Sequence, residues 1–147
     1  MKRHPLIPPQ RLTPAAAAVV RLALDRQPTD PAVTMRGAGV AFIDPQGRAL
    51  FLKRGADSDH AGEWCFPGGG IEDGETAEDA AMREAREECG ANPYGARSLM
   101  AETAMDGVHF TTFAQPVKFA FAPRLNDEHT EHVWAPLASP PEPLHPG

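Results

Sequence analysis

The sequence predicts a single α/β domain, on three observations. A chain of 147 residues that is 41% hydrophobic has the length of one ordinary domain and the apolar residues for one core. Two short apolar runs, GAGVAFID and ALFLKRG, separated by Pro45-Gln46-Gly47, carry the signature of a hairpin of buried strands. One strongly capped helix follows, with further short apolar runs after it.

In chain order, residues 1–34 stand apart as a proline-rich extension, because Pro5, Pro8, Pro9, Pro14, Pro28 and Pro31 forbid continuous regular structure. Within it, Thr13 as N-cap, Pro14 at the first helical position and apolar residues through Leu24 predict a short packing helix. The main domain spans 35–138. After the hairpin, Trp64-Cys65-Phe66 continues in extended form until Pro67 and three glycines, read as a turn. The helix runs from Thr76 to Cys89: Thr76 with Asp79 makes a capping-box variant, Ala80, Ala81 and Ala85 favour helix, and Gly90 supplies the stop. Residues 96–104 and the run HFTTFAQPVKFAFA read as strands, with Pro116 marking an edge or bulge, and HVWAPL as a last short strand. Residues 139–147 form a proline-rich, extended tail.

Charge narrows the function. With 14 Lys plus Arg against 20 Asp plus Glu, the net charge is −6, which disfavours sequence-independent binding to a phosphate backbone. An acidic protein still binds phosphates when a divalent ion stands between its carboxylates and the ligand. Cys65 and Cys89 lie far from C-x-x-C spacing and read as reduced thiols. The basic, apolar start is broken by Arg21 and lacks a convincing cleavage site, and no apolar run reaches the roughly 18 residues of a membrane span. The expected location is the cytoplasm, without membrane attachment.

The chemistry sits in GGGIEDGETAEDAAMREAREECGA, residues 68–91. Glu84, Glu87 and Glu88, at i, i+3 and i+4, share one helix face, where like charges repel unless solvent, cations or metal compensate. Clustered carboxylates suit hard cations such as Mg²⁺, Mn²⁺ or Ca²⁺. The alternative is a solvated glutamate-rich face.

This segment resembles the Nudix box: glycine, five residues, glutamate, seven residues, Arg-Glu, an aliphatic, any residue, Glu-Glu, any residue, glycine. Gly69, Glu75, Arg83, Glu84, Glu87, Glu88 and Gly90 occupy the specified places. Ala85 and Ala91 stand where larger aliphatics are usual, which puts tight packing under the helix in doubt but removes no ligand. The hairpin, Trp64 before Phe66-Pro67-Gly68-Gly69, and Glu128 six residues before Trp134 also fit, so the resemblance covers about residues 36–137. It implies an α/β/α sandwich around a mixed sheet. It further implies hydrolysis, dependent on Mg²⁺ (or Mn²⁺), of a pyrophosphate linkage in a nucleoside diphosphate derivative or nucleoside triphosphate.

The roles implied by the resemblance fall on particular positions. Glu84, Glu87 and Glu88, with the carbonyl of Gly68, would hold metal, and one of these glutamates or a later one accepts a proton from water. Gly69, Glu75 and Arg83 would support the site. Glu128 and Glu131 compete for a further catalytic carboxylate, and spacing from Trp134 favours Glu128. Lys53 and Arg54 could meet substrate phosphates. Phe113, Phe119, Phe121 and Trp134 either stack a base or pack the core, and Phe113 and Trp134 are the preferred stacking candidates. His109, His129 and His132 form no ligand pair and read as surface or core residues. The expected partner is a small nucleotide-type substrate, with nucleic acid disfavoured and a homodimer left open. Two alternatives stand: removal of pyrophosphate from an RNA 5′ end, and a non-catalytic nucleotide-binding module of the same fold. The family's proline or tyrosine marker past the box is missing at Met105-Asp106-Gly107, and there is no coenzyme A signature, so the substrate stays open.

Overall fold

The hairpin is built around Asp44. Its carboxylate accepts N–H bonds from Gln46 (3.0 Å) and Arg48 (2.8 Å) and pairs with the Arg48 guanidinium, while Gly47 takes φ +81°, so the chain reverses directly after β1 (Met35–Ile43) into β2 (Arg48–Arg54). A computed structural model describes residues 35–145 apart from Tyr94, and the short helix expected over Thr13–Leu24 lies outside the described residues.

The described elements continue as β3 (Trp64–Cys65), β4 (Gly68–Gly70), α1 (Ala77–Cys89), β5 (Ser98–Met105), β6 (Val108–Pro116) and β7 (His129–Pro136). They form one mixed seven-stranded sheet ordered β3-β2-β1-β6-β5, in which β4 pairs with β1 and β7 with β2. β1 and β6 run parallel from Met35↔Val108 to Ile43↔Pro116; the other pairs are antiparallel.

Alternation along β1 sends Ala38, Val40 and Phe42 to one face, where with Leu50 and Leu52 they meet Ala80, Ala81, Met82, Ala85 and Cys89 of α1. Ala41, Ile43, Ala49 and Phe51 pack with Met100, Ala114 and Leu137 in a second cluster. Each large side chain so buried contributes about 1.5–3 kcal/mol. Ala85 is fully buried, so the small residue at this box position lies within the core.

α1 starts and stops where expected. The Thr76 hydroxyl accepts the Asp79 N–H at 3.1 Å, and Gly90 turns left-handed at φ +63°. Three sequence expectations change. The three glycines are a strand and not a turn, because the missing Cβ lets β4 lie against β1: a Cβ on Gly68 would stand 2.7 Å from the Ala38 carbonyl. The run from His109 leaves the sheet at Pro116, where the strand ladder loses an N–H donor. β7 begins at His129, three residues before the expected start, which places His129 opposite Arg54. Residues 143–145 are extended against β3: Trp64 N–H donates to Pro143 O, and His145 N–H to Trp64 O, each at 2.8 Å.

Candidate functional site

β4 and α1 meet in a narrow interface that only glycine permits. A Cβ on Gly69 would lie 2.5 Å from Glu84 Oε1, so its absence brings backbone and carboxylate together. One turn further along α1, Glu88 is 2% exposed and accepts the Gly68 N–H at 2.9 Å. Glu87 sits on the outer side of the same face, with its side chain 55% exposed.

Arg83 organises this face. Its Nε and Nη2 donate to the two oxygens of Glu75 at 2.9 and 3.0 Å, Nη2 also to Gly70 O at 2.9 Å, and Nη1 to Glu84 Oε1 at 2.9 Å. Glu87 lies 3.4 Å from Nη1. The fork ties the loop before α1 to the helix and leaves Glu84 facing Gly69. Hydrogen bonding to Arg83 holds the Glu75 carboxyl below its usual range, and the same bond, with further bonding to Glu84, raises the arginine.

The inner carboxylates are strained by their charge. Burial pushes Glu84 up, against the pull of Arg83, and Glu87 and Glu128 add to the rise. Glu88 is pushed up to about 9, first by burial and then by Glu84 and Glu128, against the Gly68 N–H. A carboxyl that burial and like charge keep protonated ionises readily once a cation is beside it. The donors are hard oxygens, and among the described residues Arg83 is the cation bonded to Glu84 and Glu87. The set therefore fits a hard divalent ion.

Glu128, just before β7, and His129, its first residue, close the group: one donor atom each from Glu88, Glu128 and His129 lie within 4.8 Å of one another. Glu128 is exposed and Glu88 and His129 are buried. His129 Nε2 is 3.6 Å from Cys65 Sγ, its Nδ1 is buried without a hydrogen-bond partner, and burial lowers its pKa, so the ring is neutral. Burial raises the Cys65 thiol to about 11, and Cys65 and Cys89 are both free. From sequence alone His129 reads as a surface or core residue. Its place depends on the β2–β7 register, which no local pattern records.

Glu131 lies apart, pairing with Lys53 Nζ at 2.9 Å with its side chain 58% exposed. Lys53 also stands 5.8 Å over the Trp64 ring. Arg54 stands opposite His129 in the β2–β7 ladder and interacts with Cys65 and His129, with Nε donating to Asp59 O at 2.7 Å. Phe113 and Trp134 pack against the core under α1. The Trp134 indole N–H donates to Phe121 O at 2.9 Å, and its ring meets Phe121 edge-on at 5.4 Å. A cavity of about 630 Å³ opens at the far end of β1, lined by Phe42, Gln115, Val117, Lys118, Phe119 and Phe121 among others.

Among the described residues no helix is long and apolar enough to cross a membrane. Known proteins resemble this chain in sequence and in fold. An RNA pyrophosphohydrolase of Psychrobacter sp. (strain PRwf-1) is 34% identical over 114 residues, which are 69% of this chain and 62% of that protein. A CTP pyrophosphohydrolase of Escherichia coli (strain K12) is 46% identical over 50 residues, 34% of this chain and 37% of its own. The chain thus spans less than two thirds of these relatives. Among solved structures, a MutT NUDIX hydrolase from Burkholderia pseudomallei superposes with a TM-score of 0.62 at 30% identity, covering 76% of this chain and 90% of that one. The family model of the NUDIX domain matches residues 33–147, a span holding every carboxylate and glycine of the site described above, and the chain belongs to that family.

Proposed function

We propose that this chain hydrolyses a phosphoanhydride bond in a nucleotide-type substrate with Mg²⁺ or Mn²⁺ as cofactor. One observation carries the reading. Glu84 and Glu88 on α1 are held against the glycines of β4, with Glu128 beside Glu88, in a charge state that a hard divalent cation relieves. Glu84, Glu87 and Glu88, with the Gly68 carbonyl, would hold the ion. When bound, such an ion neutralises charge on phosphate oxygens and makes nearby water more acidic.

The chain's own groups supply the rest. Arg83 fixes Glu84 and, through Glu75 and Gly70, the turn that carries Gly69. Glu128, more open to solvent than Glu88 and adjacent to it, accepts the proton of the attacking water. His129 stays neutral behind it. Arg54, opposite His129 in the β2–β7 ladder, meets the substrate phosphates; Lys53 is held by Glu131. Phe113 and Trp134 serve mainly in packing, so base recognition falls to other aromatic groups.

A second reading, with the 5′ triphosphate end of RNA as substrate, is favoured by the relatives named RNA pyrophosphohydrolase and opposed by the net charge of −6. A panel of nucleoside triphosphates, nucleotide sugars, dinucleoside polyphosphates and 5′-triphosphorylated RNA, with products separated by chromatography, tests both. Metal-dependent release of phosphate or pyrophosphate supports hydrolysis and identifies the class. No turnover across the panel, together with nucleotide binding, would leave a non-catalytic binding module.

A further inference from the structure

We infer that His60, Glu63 and His145 form a second metal site, separate from the carboxylate centre and selective for a borderline transition ion such as Zn²⁺, which clasps residues 143–145 onto β3. One donor atom from each of the three lies within 4.8 Å of the other two. Two imidazoles and one carboxylate are the ligand set of Zn²⁺ and its transition-metal neighbours and a poor one for Mg²⁺. In a tetrahedral site with bonds of about 2.0 Å the ligand atoms stand about 3.3 Å apart.

The three residues come from two segments that the sheet brings together. His60 and Glu63 belong to the loop between β2 and β3, closed by Gly62 N–H on Arg54 O and Arg54 N–H on Glu63 O, each at 2.9 Å. His145 is delivered by its own N–H on Trp64 O and by Trp64 N–H on Pro143 O. The His60 and His145 rings meet at 4.6 Å, nearly perpendicular. Glu63 Oε2 lies 3.1 Å from His60 Nδ1, yet is buried and receives no well-formed hydrogen bond. A buried carboxylate oxygen in that state costs free energy that a coordinated cation removes. His60 also holds φ +58°, a left-handed conformation uncommon outside glycine, and this sets its ring toward Glu63. Arg54 opposes a cation here by its charge, and its guanidinium is turned onto Asp59 O.

The test uses the full chain with Co²⁺ as a visible probe while excess Mg²⁺ fills hard-oxygen sites. The expected result is one Co²⁺ per chain with a low-symmetry visible spectrum, displaced by Zn²⁺. His145→Ala and His60→Asn, the latter chosen because asparagine tolerates the left-handed conformation, should each weaken binding at least tenfold; Glu88→Gln should leave it unchanged. Far-ultraviolet circular dichroism checks that each variant folds. Retention of the spectrum in folded His145→Ala and His60→Asn, its loss in Glu88→Gln, or no stoichiometric binding to the wild type would each overturn the assignment. These readouts do not depend on turnover, so failure of the hydrolase reading would leave them standing.

Discussion

Replacing Glu88 by glutamine should stabilise the cation-free fold, and the gain should grow with pH. Glu88 is 2% exposed and its carboxyl is pushed up from 4.5 to about 9, so the folded chain keeps a proton there that the unfolded chain gives up. Below pH 4.5 both states are protonated and the group contributes nothing. Between 4.5 and 9 only the folded state binds the proton, and each rise of one pH unit favours unfolding by up to about 1.4 kcal/mol. His129 and His145, whose pKa values burial lowers, act in the opposite sense. Their unfolded forms take up protons the fold refuses, but only below 6.5. Cys65 and Cys89, pushed up by burial from 9.0, act above that value.

The window from pH 6.5 to 8.5 therefore isolates the carboxylates. Across it the wild type in chelator should lose up to about 3 kcal/mol, roughly 10 °C of Tm for a domain of this size. Glu84, raised in the same direction, adds to the trend where it too stays protonated. Glutamine copies the protonated acid: its oxygen accepts the Gly68 N–H and its amide donates to Glu128, so Glu88→Gln should be flatter in pH and more stable than wild type at 8.5. With Mg²⁺ at 100 times its dissociation constant the wild type should gain about 2.7 kcal/mol and the variant less. Thermal unfolding followed by circular dichroism, in chelator and in Mg²⁺, measures both arms. A wild-type Tm independent of pH across the window, or an equal slope in Glu88→Gln, would refute the charge state assigned here.

Three further outcomes are expected. Gly69→Ala should lower turnover at least tenfold with little change in Tm, because its Cβ must displace the Glu84 carboxylate 2.5 Å away; steady-state kinetics beside a melt measures this. Arg83→Lys should cost about 1–2 kcal/mol and reduce kcat, since a lysine point charge cannot replace the fork that binds Glu75, Gly70 and Glu84 together; restoration of both by lysine would contradict the positioning role. Glu128→Gln should reduce kcat by about 10²–10⁴, and Glu131→Gln, on an exposed side chain paired with Lys53, less than twofold; equal losses would move the base to Glu131.

Features governed by near neighbours in sequence were legible beforehand. Thr76, Asp79 and Gly90 delimit α1 through bonds within four residues, and Pro45-Gln46-Gly47 marks the hairpin by turn chemistry alone. Glu84, Glu87 and Glu88 share a face by helical spacing in the same way, and the other box residues rest on the family resemblance. What sequence left unread depends on pairing between distant strands. The β4 glycines look like a turn until β1 lies beside them, and His129, open between surface and core in the sequence, is turned inward against Cys65 only by the β2–β7 ladder. Trp134 shows the converse. Its aromatic face suggests stacking, but the partner of its indole N–H is Phe121 O, supplied by a segment that leaves the sheet after Pro116.

The carboxylate centre and the cavity are built from different parts of this chain, and on the proposed hydrolase reading they would divide chemistry from recognition. The carboxylate centre is fixed by β4 and α1, where the lack of side chains at Gly68 and Gly69 sets how closely backbone and carboxylate approach, so little variation is sterically tolerated. The cavity at the far end of β1 is instead walled by the segments after α1 and β6, outside regular structure, and includes Phe119 at 69% exposure. Loops of this kind accept substitution without disturbing the sheet. A change of substrate should therefore come from residues 91–93, 95–96 and 117–121 with Glu84, Glu88 and Gly69 untouched. A change at the glycines should lower turnover for every substrate alike. Comparing Phe119→Ala with Gly69→Ala across the same substrate panel separates the two: the first should alter the ranking of substrates, and the second should lower all of them in proportion.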